Sequence, residues 1–135
     1  MYRIREHGVE IEIEIGDVDP GGIFAEALVA IGDVFSDAAA ASGEPVTHEV
    51  VVSAPEPSGL LGEWVTELVR LAEDDDFLPE RAEKLRFAGD SLRAVLAGER
   101  SLPASLIRRV ATERIEMRQL EDGTWSATVA LEALP

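Results

Sequence analysis

The chain has no cysteine. That excludes disulfide frameworks, thiolate zinc sites and cysteine nucleophiles. Histidine is almost as scarce, with only His7 and His48. A serine–histidine–acid triad would have to use one of them, and no Gly-x-Ser-x-Gly turn supports it. His48 lies in a strand-like run and reads as structural. The Pro-Gly-Gly at 20–22 is not followed by the Gly-Lys-Ser/Thr of a phosphate-binding loop. Seven aromatics in 135 residues leave no RNA-stacking motif. No apolar run approaches the length needed to cross a bilayer. The first residues carry neither the basic nor the apolar segment of a signal peptide, so a cytoplasmic location is expected.

Basic residues are the other shortage: 12 Lys and Arg face 27 Asp and Glu, for a net charge of −15. The imbalance sits in the first half, where residues 1–69 hold 14 acids against Arg3 and Arg5 alone. Direct nucleic-acid binding requires cationic side chains to replace phosphate counterions, so it is disfavoured. An acidic surface suits a basic protein or a divalent cation, and it also serves simple solubility.

What is present is periodic. Val9, Ile11, Ile13 and Ile15 alternate with Glu10, Glu12 and Glu14, which predicts a half-buried strand with the glutamates on its wet face. Asp19 is placed to cap a helix with Pro20 at its first position. Ile23, Ala27, Leu28, Ile31, Val34 and Phe35 then recur at helical spacing, predicting a helix over roughly 20–40. A second strand is expected over Val46–Ala54. After it comes a second helix, capped by Ser58, with Leu61, Trp64, Val65, Leu68, Leu71 and Ala72 on its apolar side. Acids at a helix C-terminus oppose its dipole, so Glu73–Asp76 should end this helix as a solvated loop. That run lacks the glycine and alternate spacing of a calcium loop.

Gly89-Asp90 and Asp122-Gly123 mark two hairpins, the second followed by a strand over Trp125–Ala133. Between them, Leu106–Leu120 is ambiguous. Ile107, Val110, Ala111 and Ile115 favour a helix by periodicity, whereas the hairpin turn calls for a strand before it. One domain over 1–135 is expected by length. The whole predicts an α+β two-layer sandwich, with two helices packed on a mixed, mostly antiparallel sheet.

The remaining chemistry is carboxylate chemistry. Glu10 opens the polar face of the first strand and Glu132 lies near the end of the last. By pattern alone both read as solvent-facing. Were the two strands neighbours, the pair and a backbone carbonyl would suit a hard cation.

In order along the chain stand Tyr2, then Glu6-His7-Gly8-Val9-Glu10 and Ile-Glu-Ile-Glu-Ile-Gly. Phe24, Ala27, Phe35 and Asp37 follow, then Leu61, Glu63, Trp64 and Val65. After them come the segments Phe77–Glu80, Leu92–Glu99, Arg108–Arg114 and Trp125–Ala133. In this order and spacing the sequence resembles the archease family over nearly its full length. The resemblance implies an archease-like fold with Leu106–Leu120 mostly strand. It implies a non-enzymatic accessory role toward an RtcB-type RNA ligase in tRNA splicing and RNA repair, promoting ligase guanylylation and turnover. Some archeases are described as chaperone-like modulators of tRNA methyltransferases, so the alternative is a metal-free acidic protein-binding module.

The resemblance also places a divalent cation, Ca²⁺ or Mg²⁺, on Glu10 and Glu132, with the carbonyl of Ala133 as a further ligand. The family has aspartate at both acid positions. Glutamate sets each carboxylate out by one C–C bond, about 1.5 Å. The family's Thr-Ala is Gly8-Val9 here, and its Tyr-His is Thr112-Glu113. His7 either orients the Glu10 region through a hydrogen bond or simply packs at the entry to the strand. Glu63 is either a partner-facing acid or a helix-surface acid beside core Trp64. Arg108 and Arg109 could engage an acidic partner, but two arginines make only a small patch.

Overall fold

The computed structural model describes residues 1–36, 41–101 and 106–135. The end of the first expected helix, with Asp37, falls outside them. Two strands open the chain, β1 (Tyr2–His7) and β2 (Glu10–Asp17), followed by α1 (Pro20–Ser36) and β3 (Ala41–Ser53). Then come α2 (Pro57–Asp74), β4 (Phe77–Ala88), β5 (Ser91–Ser101) and β6 (Ile107–Val110). A single 3₁₀ turn (Thr112–Arg114), β7 (Glu116–Gln119) and β8 (Trp125–Ala133) complete it.

The helices form as their sequences dictate. Asp19 caps α1 by accepting the Gly22 N–H at 2.8 Å, with Pro20 at the first helical position. Ser58 does not cap α2. Pro57 already occupies the first turn, so Ser58 lies inside the helix. Its hydroxyl instead accepts the Met117 N–H at 2.9 Å and so clips β7 to α2.

The α+β class holds, with two helices packed on antiparallel sheets. The larger sheet runs β1-β2-β8-β6, with β7 also paired to β8, and the smaller runs β3-β5-β4. Both helices touch both sheets. Ile11, Ile13 and Ile15 of β2 and Ala127, Val129 and Leu131 of β8 face the helices. Trp64 lies fully buried at the centre, its indole N–H donating to the Phe24 carbonyl at 3.0 Å. His48 packs its ring on Phe77, a structural role. Both expected hairpins are present, β4–β5 around Gly89-Asp90 and β7–β8 around Asp122-Gly123.

Helical periodicity misleads at Leu106–Leu120, which is strand, 3₁₀ turn and strand as the resemblance implies, because β6 and β7 both hydrogen-bond to β8. Ile107, Ala111, Ile115 and Met117 still reach the core, as a broken strand allows. The acidic run is not simply a solvated loop either. Glu73 stays in α2, and its Oε2 accepts the N–H groups of Leu106 (2.9 Å) and Ile107 (2.7 Å).

Candidate functional site: the outer face of the larger sheet

Burying the β2 isoleucines turns Glu10, Glu12 and Glu14 to the opposite, outer face. The antiparallel register sets Arg3 against Glu14, Arg5 against Glu12 and His7 against Glu10. Arg3 lies 2.7 Å and Arg5 3.6 Å from the Glu14 carboxylate. The Arg3 hydrogen bond, helped by the charge of both arginines, holds the Glu14 carboxyl below its ordinary range. Glu14 is thus ion-paired rather than merely solvated. The signal was in the sequence: Arg3, Arg5 and His7 mirror Glu14, Glu12 and Glu10 about the Gly8-Val9 pair.

At one end of this face a polar row crosses four strands. His7 on β1 is opposite Glu10, Glu10 is opposite Glu132 on β8, and Glu132 is opposite Arg109 on β6. The first and last long strands are therefore neighbours, and the two glutamates form a direct cross-strand pair. Like charges so placed repel, so a positive group must lie close for the pairing to be tolerated.

Two guanidinium groups supply it. Arg114, from the 3₁₀ turn, reaches Glu10 Oε1 at 3.1 Å. Arg109 bonds Glu132 through Nε and grips Glu113 with both terminal nitrogens. The Arg109 fork, followed by the backbone N–H of Glu113 itself, draws the Glu113 carboxyl down to about 2. The same bonds push the Arg109 guanidinium upward. Arg109 therefore does not present a basic patch outward, because it is committed to the chain's own acids. Arg109, Glu113 and Arg114 were missed as members of this row, because only the register brings them to it.

Ala133 donates its N–H to the Val9 carbonyl at 2.6 Å and so ties β8 to the β1–β2 turn. His7 is exposed at the head of the row. Glu63 lies elsewhere, on the exposed side of α2, and makes no ion pair among the described residues. A calcium ion takes about six to eight oxygens at roughly 2.3–2.6 Å. Here each of the two carboxylates already holds an arginine. Among the described residues no three His, Cys, Asp or Glu side chains converge to hold a metal. As arranged, these residues do not fit a bound divalent cation.

A separate apolar cleft of about 270 Å³ opens where α1 and α2 begin, lined by Pro20, Phe24, Leu60, Phe87 and Trp125 among others. Among the described residues, its ionisable lining residues are Glu56 and Asp90. No helix is long and apolar enough to cross a membrane among the described residues.

Fold and face together define an α+β protein whose distinguishing feature is an ion-paired row across the end of one sheet. The family model of the Archease protein family (MTH1598/TM1083) matches residues 2–132, and the chain belongs to that family. It is 31% identical to a protein archease of Methanosarcina acetivorans, over 97% of this chain and 94% of the relative. It is 29% identical to that of Methanosarcina mazei, with the same coverage. Among solved structures it is similar to Methanobacterium thermoautotrophicum protein 1598, with a TM-score of 0.63 at 18% identity over 97% of both chains. It is also similar to a Thermotoga maritima archease described as a possible chaperone, with a TM-score of 0.62 at 13% identity over 98% and 97% of the chains.

Proposed function

We propose that this chain is a non-enzymatic accessory protein of an RtcB-type RNA ligase, promoting guanylylation of the ligase and its turnover. Membership of the archease family over residues 2–132 carries the reading. The net charge of −15 supports a protein partner over direct contact with RNA. The exposed end of the His7–Glu10–Glu132–Arg109 row, with Glu10 half-exposed, is the surface offered to that partner. Ligase guanylylation and multiple-turnover ligation, measured with and without this protein, test it. Stimulation of both is expected, and a cognate ligase indifferent to the protein would refute the function.

The chaperone description of the Thermotoga relative favours a second reading. In it the chain is a metal-free acidic module that masks or chaperones a basic protein, such as a tRNA methyltransferase. Suppression of methyltransferase aggregation without any effect on a ligase would select this reading over the first.

A further inference from the structure

We infer that Arg114 on Glu10 and Arg109 on Glu132 together supply the charge that a divalent cation would bring to this opposed pair. The end of the sheet is then closed by the chain itself and needs no metal. Removing the two arginines would uncover a cation site.

Two glutamates on adjacent strands are directly opposed, an arrangement that is unfavourable unless positive charge lies between or beside them. One dication could supply that charge, and so could two guanidinium groups, which together carry the same charge. The structure has the second arrangement. Arg114 is bonded to Glu10 and Arg109 to Glu132. Arg109 also spans two carboxylates at once, those of Glu132 and Glu113, as a bridging ion would. Its planar fork matches a carboxylate in two-point contact, which a spherical ion achieves only by assembling several ligands.

The elements that deliver the arginines are specific to the task. Arg109 arrives in register on β6, opposite Glu132. Arg114 arrives because the 3₁₀ turn interrupts the edge between β6 and β7, at the level where Ala111 donates to the Ala130 carbonyl. That turn lets a residue beside β8 reach across it to β2. Ala130, the outer-face residue next to Glu132 on β8, is small. Five charged groups result, three carboxylates and two guanidiniums, with a net charge of −1. A dication entering this cluster would meet a guanidinium group already bonded to each of the two opposed carboxylates, and their positive charge would repel it. The inference does not depend on which protein partner the chain has.

Calorimetric titration with calcium chloride and with magnesium chloride, alongside thermal melts, tests it on the intact chain. The wild type is expected to show no saturable binding and an unchanged melting temperature. Arg109→Gln/Arg114→Gln is expected to melt lower without metal and to gain affinity on the order of tenfold or more, the scale on which groups around metal ligands act. Adding Glu132→Gln should abolish that gain. Should the double variant not fold, Arg114→Gln alone frees Glu10 and is expected to bind more tightly than wild type. Saturable binding by the wild type that Glu132→Gln removes would overturn the inference. So would a folded double variant that binds neither ion.

Discussion

Glu73 occupies an unpromising position, at the acidic end of a helix where its charge opposes the dipole. It is retained because its carboxylate answers two backbone N–H groups, those of Leu106 and Ile107 at the start of β6. A hydrogen bond to a charged group contributes about 1.5–3 kcal/mol, more than the few tenths at stake in a dipole mismatch at the surface. Glu73→Ala should therefore destabilise the protein by about 1–3 kcal/mol in denaturant unfolding, although losing an acid there would otherwise help. Glu73→Gln keeps an acceptor oxygen and should cost less. Equal stability of the alanine variant and wild type would show that the helix dipole, not the two bonds, decides.

At the scale of elements, the opening hairpin depends on one residue. Its loop is Gly8-Val9, and Gly8 alone of the two has a positive φ, +63°. Two-residue hairpin loops with glycine first have this geometry. No atom lies within 4 Å of the position a Gly8 side chain would take, so the demand is purely of the backbone. Gly8→Ala is expected to cost about 1–2 kcal/mol, the penalty of the left-handed region for an L-residue. Gly8→Asn should cost less. Thermal melts of the two variants check the order, and a harmless alanine would show that the loop changes type.

The strands that were legible were those with strict alternation, such as Glu10–Asp17 and Trp125–Ala133, or with a two-residue glycine turn. Leu106–Leu120 was not, because its inward residues are spaced irregularly by a register shift after Ile107 and by the 3₁₀ turn. Breaking a strand with such a turn imitates helical spacing. The resemblance to archeases read this segment as strand where periodicity could not. For the site, the two glutamates were legible, whereas their arginine partners were not. Arg114 and Glu10 are 104 positions apart and meet only through the pairing of β2 with β8.

For the molecule as a whole, the outer ion pairs set register more than stability. Exposed pairs contribute about 0–1 kcal/mol each, against roughly 1.5–3 for each fully buried large apolar side chain. One polar contact has a consequence for the entire fold at high pH. The Tyr2 hydroxyl donates to Asp33, joining the larger sheet to α1. That bond, reinforced by burial and by the negative charge of Asp33, raises the phenol to about 12. Because the folded state holds this proton more tightly, the contribution is complete below pH 10 and lost as pH rises from about 10 to about 12. Tyr2 is the chain's one tyrosine, so phenolate absorbance reports it without overlap. A midpoint near 12 in the folded protein, and a shallower alkaline loss of stability in Tyr2→Phe, are expected. A midpoint near 10 would show that the contact to α1 is not held in solution.

The start of β4 is gripped from two sides by residues that have no side chain. A Cβ on Gly32 of α1 would land on the Pro79 carbonyl oxygen, and one on Gly98 of β5 on that of Leu78. Elsewhere in the core a lost methyl can be compensated by a gained one nearby, since cores tolerate exchange at constant volume. Here the helix and two strands meet backbone to backbone, and nothing smaller than hydrogen exists to exchange. Anyone recoding this protein could redraw most of its interior, but the spacing between α1, β4 and β5 is written in two letters that have no synonym.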